Sequence, residues 1–143
     1  MHTIYKSAIV PFSQQQMFDL VNDINSYPSF LNWCDNAIIL EQNASEIIAS
    51  IKINKAGFKQ EFTTINTLVK NEKIIMNLKN GPFKNLDGEW NFKFLQIGAC
   101  KIEFNLNFKF SSKIMDLTLS PAFSIIANSQ LDSFVSRAKI VYG

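Results

Sequence analysis

The stretch Cys100-Lys101-Ile102-Glu103-Phe104-Asn105-Leu106-Asn107-Phe108-Lys109-Phe110 alternates without a fault. Successive side chains of a β-strand face opposite sides, so Ile102, Phe104, Leu106, Phe108 and Phe110 share one apolar face. Lys101, Glu103, Asn105, Asn107 and Lys109 share the wet one. Stretches 46–54, 58–69 and 86–95 repeat the pattern. A sheet with one apolar face must bury it. The one sizeable apolar partner left in the chain is the helical stretch after Ser112. The expected architecture is therefore α+β: a curved antiparallel sheet wrapped around a long C-terminal helix, a helix grip able to enclose a cavity.

Outward from that strand, residues 3–10 read as a first strand closed by Pro11. Ser13 is placed to cap a helix running to about Val21, with Met17, Phe18, Leu20 and Val21 on its buried face. A short helix or turn follows across 26–31, and strands are expected over 36–42, 46–55, 58–70, 73–79, 84–97 and 99–110. Turn residues separate them at Gln42-Asn43-Ala44-Ser45, Lys55-Ala56-Gly57, Lys70-Asn71-Glu72, Asn80-Gly81-Pro82 and Ile97-Gly98. The helical stripe then runs through Ile114, Met115, Leu117, Phe123, Ile126, Ala127, Leu131, Phe134, Val135, Ala138 and Val141. Proline disfavours helix in the residue before it, so a kink or break is expected at Ser120-Pro121, with Ser120 capping the second segment. With no repeat, linker or low-complexity run, residues 1–143 are expected to form a single domain.

The 47% hydrophobic and 18% charged composition suits a globular fold and argues against disorder. A net charge of +2 is too weak to argue for nucleic acid, and no DNA partner is expected. The two cysteines, Cys34 and Cys100, lack metal-ligand spacing and are expected as reduced thiols of a cytoplasmic protein. No signal peptide or spanning segment is evident in the sequence. His2 is the single histidine and falls in a stretch expected to fray. Without an internal histidine there is no Ser-His or Cys-His dyad and no histidine metal site. Asp87 and Glu89 fall on the outer strand face, opposite Leu86 and Trp90, where a solvated pair is the ordinary outcome. The expectation is thus a protein without catalytic residues, metal or catalytic cofactor.

The 13 phenylalanines stand out. Ile51, Phe62, Phe92, Phe94, Phe104, Phe108, Phe123 and Phe134 are candidate cavity walls, with Trp90 in the same inward phase. Tyr27, Phe30 and Trp33 form an aromatic corner that either plugs one end of the barrel or gates it. Phe83, directly after Gly81-Pro82, is the other candidate gate, as an apolar hairpin tip. Gly88 in mid-strand allows a bulge or a close approach of the helix. A core simply filled by these rings, with the protein acting through its surface, is a further outcome for a barrel of this size.

Several spaced motifs resemble one family. They are Val10-Pro11-Phe12-Ser13, Val21-Asn22-Asp23 with Tyr27-Pro28-Ser29-Phe30-Leu31, Lys55-Ala56-Gly57, and Gly81-Pro82-Phe83-Lys84 with Leu86, Gly88 and Trp90. Cys100 to Phe104, Phe134, Arg137-Ala138-Lys139 and Tyr142 continue the match across essentially the whole chain. The pattern is similar to the family of ribosome association toxins (RatA) and coenzyme Q-binding proteins, in the START-like, SRPBCC superfamily. Asn32, where the family commonly has proline, and Pro121 in the terminal helix depart from it.

The resemblance implies a helix-grip fold and two functions. One is binding of ubiquinone or another polyprenyl lipid, as ligand and not catalytic cofactor, in support of respiration, with transient contact at the inner membrane surface. The other is binding of the large (50S) ribosomal subunit so that the small subunit cannot join. Apolar burial bears on the choice: at about 0.8 kcal/mol per methylene, one five-carbon isoprene unit contributes up to roughly 4 kcal/mol before ordering costs. Ribosome binding draws instead on phosphate neutralisation, and here lysines are scattered among nearly as many carboxylates. Lys84, Lys113, Arg137 and Lys139 are the residues that reading requires. Composition therefore favours the lipid.

Overall fold

In a computed structural model, which describes residues 1–55 and 57–143, the seven strands form one sheet in the order β1-β7-β6-β5-β4-β3-β2. The strands are β1 (His2–Val10), β2 (Cys34–Gln42), β3 (Glu46–Lys55), β4 (Phe58–Val69), β5 (Lys73–Asn80), β6 (Phe83–Gln96) and β7 (Ala99–Phe110). Every neighbouring pair is antiparallel. The expected turn at Lys55-Ala56-Gly57 includes Ala56, which lies outside the described residues.

Helix α1 (Gln14–Asn22) and a 3-10 helix (Ile24–Ser29) link β1 to β2, and α2 (Lys113–Asn128) with α3 (Gln130–Tyr142) closes the chain. The grip follows from the alternation. Cys100, Ile102, Phe104, Leu106, Phe108 and Phe110 of β7 are all buried, and their cross-strand partners on β6 include Leu86, Trp90 and Phe92. Phe123, Ile126 and Ala127 of α2, then Leu131, Phe134 and Ala138 of α3, cover that face. Register shifts between Cys34 and Asn36, Ile39 and Glu41, Thr63 and Thr64, Phe83 and Asn85, and Phe94 and Gln96 bend the sheet around the helices.

Ser13 caps α1 through a reciprocal pair: its hydroxyl accepts from Gln16 N–H at 3.1 Å, and Gln16 Oε1 accepts from Ser13 N–H at 2.9 Å. The cap of α2 is Ser112, whose hydroxyl accepts from Met115 N–H at 3.1 Å.

The C-terminal stretch differs from expectation at three points. The helix continues through Pro121 without a break, and the break comes at Ser129. Ser120 is no cap: it is buried inside α2, donating to Asp116 Oδ1 at 3.0 Å. Proline is tolerated because Pro121 and Leu117 both lie on the solvent side, where the Leu117 carbonyl deprived of its donor can reach water. Burial of Phe123, Ile126 and Ala127 holds the helix on the sheet. Third, the apolar stripe is not wholly inward, since Ile114, Leu117 and Val141 are exposed. Nor does His2 fray. It opens β1, its ring stacks on Phe108 at 4.9 Å, and its Nε2 lies 2.9 Å from Asp116 Oδ2.

Candidate functional site

Between sheet and helices lies a mainly apolar cavity of about 90 Å³. Of the residues singled out in the sequence, it brings together Tyr27, Trp33, Ile51, Phe62, Trp90, Phe104 and Phe123. Each element supplies its part by phase. Trp90 of β6 and Phe104 of β7 are register partners whose rings sit 4.5 Å apart, forming the floor. Phe123 comes down from α2. Tyr27 is locked in the corner by its hydroxyl, which donates to the Val21 carbonyl, and burial pushes its phenol well above the usual range. Half-buried Ile51, Phe62 and Met76 mark the more exposed part of the wall.

Six other candidates lie elsewhere. Phe92, Phe108 and Phe134 are buried in the core away from the cavity lining, where Phe134 meets Tyr27, Phe30 and Trp90 edge-on at 5.3 to 5.5 Å. Phe30 is half-buried, with the Arg137 guanidinium 5.0 Å above its ring.

Phe83 is not an exposed tip. It is buried, stacked on Phe110 at 4.5 Å and edge-on to Phe62 at 5.6 Å. Gly81 makes that turn possible: its φ is +152°, and a Cβ there would sit 2.6 Å from Phe62 Cβ. Phe94 keeps the phase of Phe92 but is 63% exposed, beside the register shift at the end of its hairpin.

Gly88 serves close packing and not a bulge, because the β6–β7 register is continuous through it. The close neighbours are Met76 Cε and Asn105 O, at 2.8 and 3.0 Å from a hypothetical Cβ, rather than a helix. Asp87 and Glu89 sit on the outer face, Asp87 accepting from Asn107 Nδ2 at 3.1 Å and Glu89 pairing with Lys73 at 3.2 Å.

Sequence reasoning missed the polar part of the lining. Thr64 and Asn66 of β4 and Gln130, the first residue of α3, face the cavity. The Thr64 hydroxyl donates to Asn66 Oδ1 at 2.9 Å. The signal lay in strand parity: Thr64 and Asn66 share the phase of Phe58 and Phe62. Trp33 Nε1 and Gln130 Oε1 are buried without a hydrogen-bond partner among the described residues. No charged side chain is found among the described residues that line the cavity.

Cys34 and Cys100 are buried free thiols, both pushed up to about 11 by burial. Among the described residues no cluster of three His, Cys, Asp or Glu could hold a metal ion, and no helix is long and apolar enough to cross a membrane.

Residues 10–135 match the family described as polyketide cyclase / dehydrase and lipid transport. The chain is 44% identical over 142 residues to the ribosome association toxin RatA of Escherichia coli K12, covering 99% of this chain and 90% of that protein. It is 22% identical over 142 residues to the mitochondrial coenzyme Q-binding protein COQ10 homolog B of Xenopus laevis, covering 96% of this chain and 58% of that one. Among solved structures, the Zhui aromatase/cyclase of Streptomyces sp. R1128 superposes with a TM-score of 0.85 at 14% identity, covering 96% of this chain and 93% of that one. The last likeness is one of fold.

Proposed function

This chain belongs to the polyketide cyclase / dehydrase and lipid transport family, in the group that includes RatA, and from that premise we propose that it binds a hydrophobic ligand in its cavity without transforming it. The ligand class we favour is a polyprenyl quinone or a similar lipid. The observation that carries this reading is the cavity itself: lined by aromatic and aliphatic side chains, with a few neutral polar groups and no charge among the described lining. Such a lining rewards apolar carbon and fixes orientation through a small number of hydrogen bonds. A relative named for coenzyme Q binding supports the same class.

Among the described lining residues none is a carboxylate, histidine, lysine or cysteine that could serve acid–base chemistry. The phenol of Tyr27 is committed to the Val21 carbonyl and held protonated by burial. At about 90 Å³ the cavity is smaller than the ~150 Å³ at which an apolar protein cavity takes up benzene. A ligand therefore enters by spreading the half-buried side of the wall at Ile51, Phe62 and Met76.

The test is uptake of a fluorescent apolar probe by the wild-type protein and by Ala127→Leu. Ala127 is buried and lines the cavity, so the longer side chain fills its free space. Probe uptake by the wild type and its loss in the folded variant is the expected result. Equal uptake by both moves binding off this cavity.

A second reading, ribosome association, is favoured by the full-length likeness to a protein named for it. Exposed Lys84, Lys113 and Lys139, with the half-buried Arg137, supply its candidate contacts. Its test is salt-dependent cosedimentation with large ribosomal subunits, which charge reversal at Lys139 and Arg137 should weaken.

A further inference from the structure

Two residues that line the cavity carry a buried polar atom, one a donor and one an acceptor, without a partner among the described residues. The described lining has five polar side chains: Tyr27, Trp33, Thr64, Asn66 and Gln130. The Tyr27 hydroxyl donates to the Val21 carbonyl, and the Thr64 hydroxyl to Asn66 Oδ1. Trp33 Nε1 and Gln130 Oε1 are buried with no partner among the described residues. Trp33 is 4% exposed, so its indole N–H is not relieved by bulk solvent. A buried donor and a buried acceptor left unpaired each carry a desolvation cost. Two such atoms on residues lining one cavity indicate a ligand that completes them.

We infer that the cavity selects a neutral, hydroxyl-bearing head group, a phenol or alcohol on an apolar tail, with the Trp33 indole N–H as donor to it and Gln130 Oε1 as acceptor from it. This rests on the carrier reading and adds the head-group chemistry. An indole nitrogen can only donate and an amide oxygen can only accept. A hydroxyl does both, so within the quinone class the reduced quinol fits, whereas an ether, an isolated carbonyl or the oxidised quinone only accepts and leaves Gln130 unpaired. Carboxylate and phosphate head groups are disfavoured because no cation stands among the described lining residues to offset their desolvation. The polar atoms come from the segment before β2 and from the start of α3, at the joint where α2 ends. The head group would thus sit against that joint, with its tail against Phe62, Trp90 and Phe104.

The experiment is calorimetric titration of the full chain with three probes: 4-nonylphenol, its methyl ether 4-nonylanisole, and decanoate. The phenol should bind about tenfold tighter than the ether, the order expected for one buried acceptor left unpaired, and decanoate should bind least. Gln130→Leu should bring phenol and ether to equal affinity. Trp33→Phe should weaken both, since both supply an acceptor to the indole. Equal binding of phenol and ether to the wild-type protein, or tighter binding of decanoate, overturns this inference and leaves the carrier reading standing. Uptake of none of the three overturns both. The wild-type comparison decides the matter even where a variant fails to fold.

Discussion

His2 Nε2 lies 2.9 Å from Asp116 Oδ2, which ties the first residue of β1 to the first turn of α2. Asp116 does more than meet His2. Its Oδ1 accepts from Phe110 N–H at 3.1 Å and from the Ser120 hydroxyl at 3.0 Å. One carboxylate thus joins the end of β7, the start of α2 and the chain's N-terminus. His2, then the Phe110 amide, hold it down to about 2.

That lowering makes stability depend on acid. A carboxylate whose folded pKa lies below its unfolded value of about 3.9 contributes fully above that value. The contribution is lost as pH falls towards about 2. Asp116→Asn should therefore be less stable than the wild type by a constant margin above pH ~4. The gap should narrow on further acidification. Urea unfolding at several pH values measures it, and a gap independent of pH down to 2 would remove the linkage.

Phe134 pins α3 to the aromatic corner. It is fully buried and meets Tyr27, Phe30 and Trp90 edge-on. Phe134→Ala should cost about 3–5 kcal/mol, the range for truncating a large aromatic in a core. A loss below ~1 kcal/mol in denaturant unfolding would mean that the site collapses or that α3 packs elsewhere.

Gly88→Ala should act on both stability and the cavity. The new Cβ meets Met76 Cε at 2.8 Å, and Met76 is part of the cavity lining. The flexible thioether must shift, and the backbone oxygen of Asn105 at 3.0 Å limits the room to do so. A cost of about 1–3 kcal/mol is expected, as for overpacking, together with weaker uptake of an apolar probe. Unchanged stability and uptake would show that the strand pair can yield without strain.

Phe94→Ser should leave stability within about 0.5 kcal/mol, the usual range for an exposed position. The ring is 63% exposed and outside the cavity lining, so uptake of the apolar probe should not change. Reduced uptake would place Phe94 on the entry route.

Phe94 also shows where the sequence stops being legible. Strand parity correctly separates Phe104 from Glu103 and Trp90 from Glu89, because a continuous ladder carries the phase along β6 and β7. Parity says which side a residue faces but not whether anything covers it. Phe94 has the right phase and lies at an uncovered hairpin end. Pro121 marks a different limit. The local rule against proline in a helix is sound, yet the pairing of exposed Leu117 and Pro121 with buried Phe123 and Ile126 emerges only when the helix is seated on the sheet. The apolar wall was readable for a like reason, since hydrophobic phase is local. The polar lining was not: Thr64 and Asn66 look like outward residues until parity is preferred to polarity. Nothing local reveals that Trp33 and Gln130 border one cavity. The two residues are brought there by the turn before β2 and by the start of α3, which are far apart in the chain.

The central claim is that the cavity holds a hydrophobic ligand, and its most direct test is mass spectrometry of the organic extract of gently purified protein from a quinone-containing host. The account predicts near-stoichiometric neutral lipid from the wild-type chain and its loss from folded Ala127→Leu. A folded, monodisperse wild-type protein with an empty extract would contradict it and move the function to the surface.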